Sequence, residues 1–487
     1  MAQSRLTLRP RIFLVLIVLL TALRPGDASW VNDEPLMMEM AIRYNHTVSG
    51  VYGINLPFTP CPFGLQGTHG ARYGPLPVWL DQIFLAFTSN LVLMVALRAI
   101  LFSSLTVIVL DRLVKAVQLS GWFAVITMLS PSVWLYSRSL WDSTWCIPFS
   151  ALLLAAYAQF LANPKPAALT KVIIFCVLLS LIHLMGAALV LPILLHLLIF
   201  HRERIWAARW RLGVAILVCI YVFWPYLFYF FGHLRPSVYG NQSGLLGWFF
   251  PLFGGDFQTL NIASTLPDWK VQAPAILQYL VEIAQWISRG AYTLVWLGMG
   301  LAVSGAVSAI RGPRSASVTD HLCLVALSVW ICQTILDGFG RVYGTMHYQS
   351  GTWCVYALFG WIAANWLWLR IPKGIFTSLI AIYAASVLFG IGFITTTIAR
   401  NAGARYVNAG TTLGNQIATV EDLRRYSDNS SVDIEVPQWK LYPMAWKVLM
   451  ELTPPSPGPR PRRHLLVKYR DAYPGDAHIE VEEFSPY

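Results

Sequence analysis

Charge is what this 487-residue chain has least of: only 12% of its residues are Asp, Glu, Lys or Arg. A soluble globular chain carries about 25%. Too few charges remain to coat a water-facing surface of this size, which excludes an ordinary soluble enzyme. Cysteine is sparse and scattered as well. The seven (Cys61, Cys146, Cys176, Cys219, Cys323, Cys332, Cys354) form no CxxC pair and no metal-ligand spacing. Most lie within apolar runs, where a thiol behaves as a small hydrophobe, so structural zinc and a disulfide framework are both disfavoured. No fixed-period repeat or duplicated half is visible, which counts against many secondary-transporter folds.

What fills the chain instead is apolar and aromatic. Hydrophobic residues make up 56%, and 20 Trp, 25 Phe and 21 Tyr suit the belts found where a bilayer meets water. The expectation is an all-α polytopic membrane protein. A crossing helix needs about 20 mainly apolar residues. Eleven candidate spans follow: 11–23, 91–110, 121–137, 144–162, 171–186, 187–200, 212–231, 288–310, 318–338, 349–369 and 374–395. The first resembles a signal peptide but is expected to be retained, because "GDAS" is a poor cleavage signal. Residues 172–200 are too long for one crossing and carry positive charge at both ends, so a tight hairpin is expected there. Residues 76–89 are expected to lie at the interface, with 91–110 spanning and Arg98 snorkelling outward.

With the N-terminus cytoplasmic, eleven spans leave the C-terminus outside. The inner segments then collect fifteen Lys or Arg against three acids, Asp111, Glu203 and Asp320. That asymmetry is the positive-inside pattern. The net charge of +11 is therefore a topology signal and implies no nucleic-acid partner. A membrane domain is expected over 1–395, with outer loops at 24–90 and 232–287, the first of them catalytic. The second is apolar and Gly-hinged ("GLLGWFFPLFGGDF") and suits a lid or lipid groove. Residues 396–487 have soluble composition and are expected to form a small extracytoplasmic α/β domain. Helical stretches at 417–427 and 442–452 precede a hairpin of "HLLVKYRD", the turn "AYPGDA" and "HIEVEEF", the last with period-two alternation.

In this topology Asp33, Glu34, Arg72, Arg138, Asp142, His183, Arg341 and His347 emerge at one membrane face. Each also has a plainer reading. Asp33 and Glu34 favour the positive end of an interfacial helix. Arg138 and Asp142, four apart, suit a surface ion pair. His183 suits a hydrogen-bonded core position, and His347 with Tyr348 suits interfacial anchoring.

The order of "DE" after the first helix, "YGPLPVWL", "SPSVWLYSRSLWD", "LSLIHLMGAALVLP" and a late "HY" resembles the lipid-linked-sugar glycosyltransferases of the GT-C superfold. The aminoarabinose transferase and protein O-mannosyltransferase branch is nearest, over about residues 10–370. The resemblance implies that Asp33 is the catalytic acid of the first outer loop and Asp142 the second acidic residue near the active site. Glu34 joins them as a candidate catalytic residue. Tyr73-Gly74-Pro75-Leu76 falls where some relatives read Glu-Lys-Pro, so the metal and phosphate contacts of that Glu and Lys are not carried over, and no metal ligand is assigned.

Transfer from a polyprenyl-phosphate sugar needs little general acid, because the phosphate leaves as a stable anion. It needs one base for the proton of the attacking hydroxyl or amine. One Asp then suffices, in a single displacement with inversion, where glycoside hydrolases use two carboxylates. Arg72, Arg138 and Arg341 are candidates for the donor phosphate, with Arg98 behind them. Tyr73, His183, His347 and Tyr348 are candidate substrate contacts. The expected partners are the polyprenyl-phosphate-sugar donor, an acceptor lipid, glycan or protein, and membrane lipid. No cofactor beyond a divalent metal comes into question. The expected location is the bacterial cytoplasmic membrane, with the site facing out. A transporter or flippase of lipid-linked substrates, and a polysaccharide ligase or polymerase, are the competing functions.

Overall fold

The computed structural model describes residues 8–28, 30, 33–45, 59–65, 72–233, 275–340, 350–400, 413–414, 416–417, 420–421, 432–435, 444–452, 464–472 and 476–484. Helices dominate. They are α1 (Leu8–Thr21), α2 (Asp33–Asn45), α3 (Leu76–Phe87), α4 (Leu91–Ala116), α5 (Trp122–Met128), α6 (Pro131–Arg138), α7 (Cys146–Ala162), α8 (Pro166–Ser180) and α9 (Ala187–Phe200). Then follow α10 (Arg202–Ala207), α11 (Arg209–His233), α12 (Ala275–Arg311), α13 (Val318–Gly340), α14 (Trp353–Trp368) and α15 (Lys373–Arg400).

Local sequence sets several of these boundaries. Asn90 caps α4, its side-chain oxygen accepting from Leu93 N at 3.0 Å. Pro131 and Pro166 open α6 and α8, where a missing N–H costs nothing. Among the described residues, six helices are long and apolar enough to cross a membrane, starting at Leu91, Ser143, Arg209, Thr293, Val318 and Lys373. Large apolar side chains stand exposed on α1, α4, α9, α11 and α15, among them Leu16, Ile108, Ile199, Leu217 and Leu379. Such a surface suits lipid and not water. This is a multi-pass membrane protein.

Two span expectations change. Residues 121–137 are not one helix. The chain breaks at Leu129 and Ser130 between α5 and α6, because Pro131 cannot continue the preceding turn. Arg98 does not snorkel outward; it is 1% exposed, for the reason given below. The hairpin over 172–200 does form, with α8 and α9 joined by a 3₁₀ turn at Leu184–Gly186. At 12 residues, α3 is too short to cross a bilayer alone.

The main core packs α1, α4, α5, α7–α9 and α12–α14 around Phe102, Trp145, Tyr157, Phe160 and Phe359. A second core joins the first loop to the tail. Trp30, Met38, Ile42, Met94, Val95 and Leu140 pack with Leu413, Val420, Val448, Leu449 and Met450. The last three belong to α16 (Met444–Leu452). Leu413 N donates to Ala28 O at 2.8 Å, and Gln416 Nε2 donates to Trp30 O at 2.8 Å. Three strands complete the tail: β1 (Val432–Glu435), β2 (His464–Ala472) and β3 (Asp476–Phe484). β2 pairs antiparallel with β3, Val467 opposite Val481, as the alternation predicts, while β1 adds in parallel beside β2.

Candidate functional site

Asp33 is the first residue of α2, with Glu34 beside it, so both acids stand at the helix's positive end. Glu34 is 0% exposed. Asp142 lies in the turn between α6 and α7. Its Oδ1 accepts from Ser143 N at 2.6 Å, which fixes the carboxylate at the start of a 3₁₀ turn, Ser143–Trp145. Leu140, two residues earlier, sits in the same core as Trp30 and Met38, so α2 and the Asp142 turn share one end of the helix bundle.

Arg138 ends α6. Its guanidinium lies 4.6 Å over the Trp134 ring, Nη2 donates to Arg24 O at 2.5 Å, and Asp27 Oδ2 is 3.9 Å away. No ion pair with Asp142 is formed among these contacts. Arg138 therefore ties α6 to the 3₁₀ turn Pro25–Asp27 that precedes α2. Burial raises the Asp27 carboxyl above its usual range, although Arg138 and Arg24 pull it down.

Arg72 and Tyr73 lie just before α3. Gly64 N donates to Tyr73 O at 2.9 Å and Tyr73 N to Leu65 O at 2.8 Å, a short bridge that holds the two segments together. The Arg72 guanidinium stands 4.3 Å over the Phe63 ring, and Tyr226 of α11 donates to Arg72 O at 3.3 Å. The Tyr73 ring lies 4.1 Å from His183, which is buried and accepts from Met185 N through Nδ1 at 3.2 Å. From there the chain of contacts runs to Asp142. Gly351 packs on Met185 and Gly186, and Ser350 Oγ donates to Ser143 O at 2.8 Å. The structure thus links Tyr73 and His183 to the Asp142 turn through a run of contacts, while Asp33 and Glu34 open α2, whose Met38 shares a core with Leu140. Arg341, His347 and Tyr348 lie outside the described residues.

Gly74 has no room for a side chain. A Cβ there would run into the carbonyl of Leu181, whose oxygen also accepts from Leu76 N at 3.3 Å. Any side chain at this position would meet that backbone. Among the described residues no group of three or more His, Cys, Asp or Glu side chains is placed to hold a metal ion. All seven cysteines are free thiols. Burial pushes the Cys61 thiol up to about 12, which makes it a packing group and not a nucleophile.

No family model matches the chain, and no curated protein matches it in sequence. Solved structures do match. ArnT from Cupriavidus metallidurans in the apo state superposes with a TM-score of 0.53 at 13% identity, covering 92% of this chain and 85% of that one. The same protein bound to undecaprenyl phosphate gives a TM-score of 0.54 at 12% identity, with equal coverage. The chain has the GT-C fold. At such identity the likeness is one of fold, and the side chains must be argued from their own surroundings.

Within this GT-C frame the structure adds residues that sequence reasoning did not select. Asp81 and Gln82, adjacent on α3, are both 0% exposed. Asp81 pairs with Arg98 at 2.6 Å, which is why Arg98 points inward. Gln82 accepts from Cys61 N at 3.1 Å through Oε1, and its Nε2 donates to Thr59 O at 2.8 Å and to Asn45 Oδ1 at 3.1 Å. A signal was present: "LPVWLDQIFLAF" carries one acid and one amide in an otherwise apolar helix, and polar groups in such settings pair with one another. Ser350 and Tyr226 gave no comparable signal, since their partners are backbone oxygens distant in sequence.

Proposed function

We propose that this protein is an integral-membrane, inverting glycosyltransferase that moves a sugar from a polyprenyl-phosphate donor to a lipid, glycan or protein acceptor. The observation that carries this reading is the fold shared, over nine-tenths of the chain, with a protein solved with undecaprenyl phosphate bound. The acids that open α2, the Asp142 turn and the Tyr73–His183 pair support it. Asp33 acts as the base, taking the proton of the acceptor hydroxyl or amine as that atom attacks the anomeric carbon and the lipid phosphate departs. Its place at the positive end of α2 favours the ionised form this role requires. Asp142, held by its own 3₁₀ turn, orients the attacking or sugar group. Glu34, the next residue of α2, is buried.

Arg72, propped on Phe63, is the candidate for the departing phosphate together with Arg341. Tyr73, against His183, offers a ring face for the sugar. His347 and Tyr348 complete the proposed substrate contacts. The site faces outward from the bacterial cytoplasmic membrane. This orientation is supported by Arg202, Arg204, Arg209 and Arg211, which follow α9 at its end away from the Asp142 turn.

The test supplies nanodisc-embedded protein with synthetic undecaprenyl-phosphate sugars and follows release of undecaprenyl phosphate. Mass spectrometry of envelope lipids and glycans, with and without the protein, identifies the acceptor. Asp33→Asn is expected to fold and lose turnover by about a hundredfold or more. Full turnover in that variant would remove Asp33 as the base. Flux of the lipid-linked sugar across the bilayer with no glycosidic product would overturn the reading itself.

A further inference from the structure

The Arg98 side chain makes an unusual set of contacts for one residue in an apolar helix. Nη1 donates to Asp81 Oδ1 at 2.6 Å. Nη2 donates to Trp141 O at 2.8 Å and to Thr144 Oγ1 at 3.3 Å. Thr144 Oγ1 in turn donates to Trp141 O at 2.6 Å, and the guanidinium stands 5.1 Å over the Trp145 ring. One buried cation therefore reaches from α3, through α4, to both flanks of Asp142 without touching Asp142 itself.

Stability alone does not account for this pair. Removing two ions from water costs several kcal/mol for each, and apolar residues of similar volume are often as stable or more so. The pair is also imperfectly satisfied: Asp81 Oδ2 is buried and has no hydrogen-bond partner among the described residues. What apolar residues could not do is hold the Trp141 carbonyl. That peptide leads directly into Asp142, whose carboxylate is fixed on the following N–H, that of Ser143. Rotating the 141–142 peptide would swing the acid away.

We propose that the Asp81–Arg98 pair is a positioning element that locks the Trp141–Thr144 backbone and thereby aims Asp142 at the reacting centre. It follows that Arg98 does not contact donor phosphate. This inference rests on the glycosyl-transfer reading for its effect on rate, but its structural content can be read without turnover.

The experiment compares wild type, Arg98→Lys and the volume-matched double variant Asp81→Leu/Arg98→Met in nanodiscs. Three quantities are read: amide hydrogen exchange by mass spectrometry, undecaprenyl phosphate affinity, and kcat with undecaprenyl-phosphate sugars. The double variant is expected to melt close to wild type and to bind undecaprenyl phosphate within about twofold. Its exchange should rise at 141–145 and stay unchanged in the middle of α7. Its kcat should fall by about a hundredfold, the scale of an ångström-sized misplacement. Arg98→Lys reaches one acceptor but not the fork and should recover part of the rate.

Unchanged exchange at 141–145, or a wild-type kcat in the double variant, overturns the proposal. A matched loss of undecaprenyl phosphate affinity and kcat overturns it too, since Arg98 would then be touching the donor. If the double variant does not fold, the Arg98→Lys exchange map decides alone: no change at 141–145 refutes the lock. Altered exchange at 141–145 in the double variant or Arg98→Lys, with a wild type that turns over no donor, would sink the glycosyl-transfer reading and leave the lock standing.

Discussion

Gln82→Leu removes a buried amide that fastens the 59–65 segment and the end of α2 to α3. In the wild type Gln82 Oε1 serves Cys61 N, and Nε2 serves both Thr59 O and Asn45 Oδ1. Leucine fills nearly the same volume and offers none of these. Each buried polar group deprived of its partner costs about 1–3 kcal/mol, so three such groups set an upper range of about 3–9 kcal/mol. Water entering beside the half-exposed Asn45 relieves some of this, and about 3 kcal/mol is the working expectation. Asn45 Nδ2 also donates to Gln82 O at 3.0 Å, a backbone contact that survives the substitution. The loss should therefore fall on the 59–65 segment, and with it on Phe63, the ring under Arg72. Gln82→Glu is the internal control: its carboxylate still accepts from Cys61 N but repels the two acceptors. The assay is thermal melting in detergent with hydrogen exchange across 59–65. A Gln82→Leu protein that melts with wild type and protects 59–65 equally would show that the amide is not the fastening described.

Three further outcomes are expected. Gly74→Ala should destabilise by about 1–3 kcal/mol or more, because the new methyl meets backbone that cannot yield as a side chain would; melting and the Tyr73–His183 contact, read by cross-linking of a Cys pair, check this. Leu449→Asp should unseat α16 from α2, since it buries a charge in the core shared with Trp30, and exchange in α2 should rise in step with the loss of stability. Burial pushes the Asp81 carboxyl up to about 6. A native state that binds a proton more tightly than the unfolded chain gains stability as pH falls through that window, from about 6 towards the ordinary carboxylate value. Wild type should accordingly gain melting temperature relative to Asp81→Asn between neutral pH and pH 5, and parallel melting curves would contradict the burial of an ionisable pair.

Much of the fold was legible because a bilayer imposes coarse demands on sequence. Runs of apolar residues located most helices, and the basic flanks marked the ends of α8 and α9. The hairpin of β2 and β3 followed from the turn "AYPGDA" and the alternation that begins "HIEVEEF". The break at Pro131 was written in the sequence yet outweighed by the apolar run around it. Strand β1 was missed, because four residues of "VDIE" carry too little pattern to register and are fixed only by a neighbour thirty residues later.

The site divides in the same way. Order and spacing of the motifs selected Asp33, Arg72, Tyr73, Asp142 and His183 as candidates, and of these the structure sets Tyr73 against His183. The inward turn of Arg98 did not follow from its own helix, since a lone cation near a span's end can snorkel or pair. Its partner on α3 decided between the two. Arg138 was read against Asp142 by i, i+4 spacing, but the helix ends at Arg138 and the acid lies beyond it.

The contact of Trp30 with Gln416 joins residues 386 apart. A ribosome adds about 5–20 residues per second, so the surface around Trp30 waits for roughly 20–80 s of synthesis before its cover is made. During that interval every membrane helix can be inserted while the loop that opens with Asp33 still lacks its far wall. The cover over Trp30 is therefore made only after the membrane helices have been synthesised, and a chain released before Leu413 would lack it.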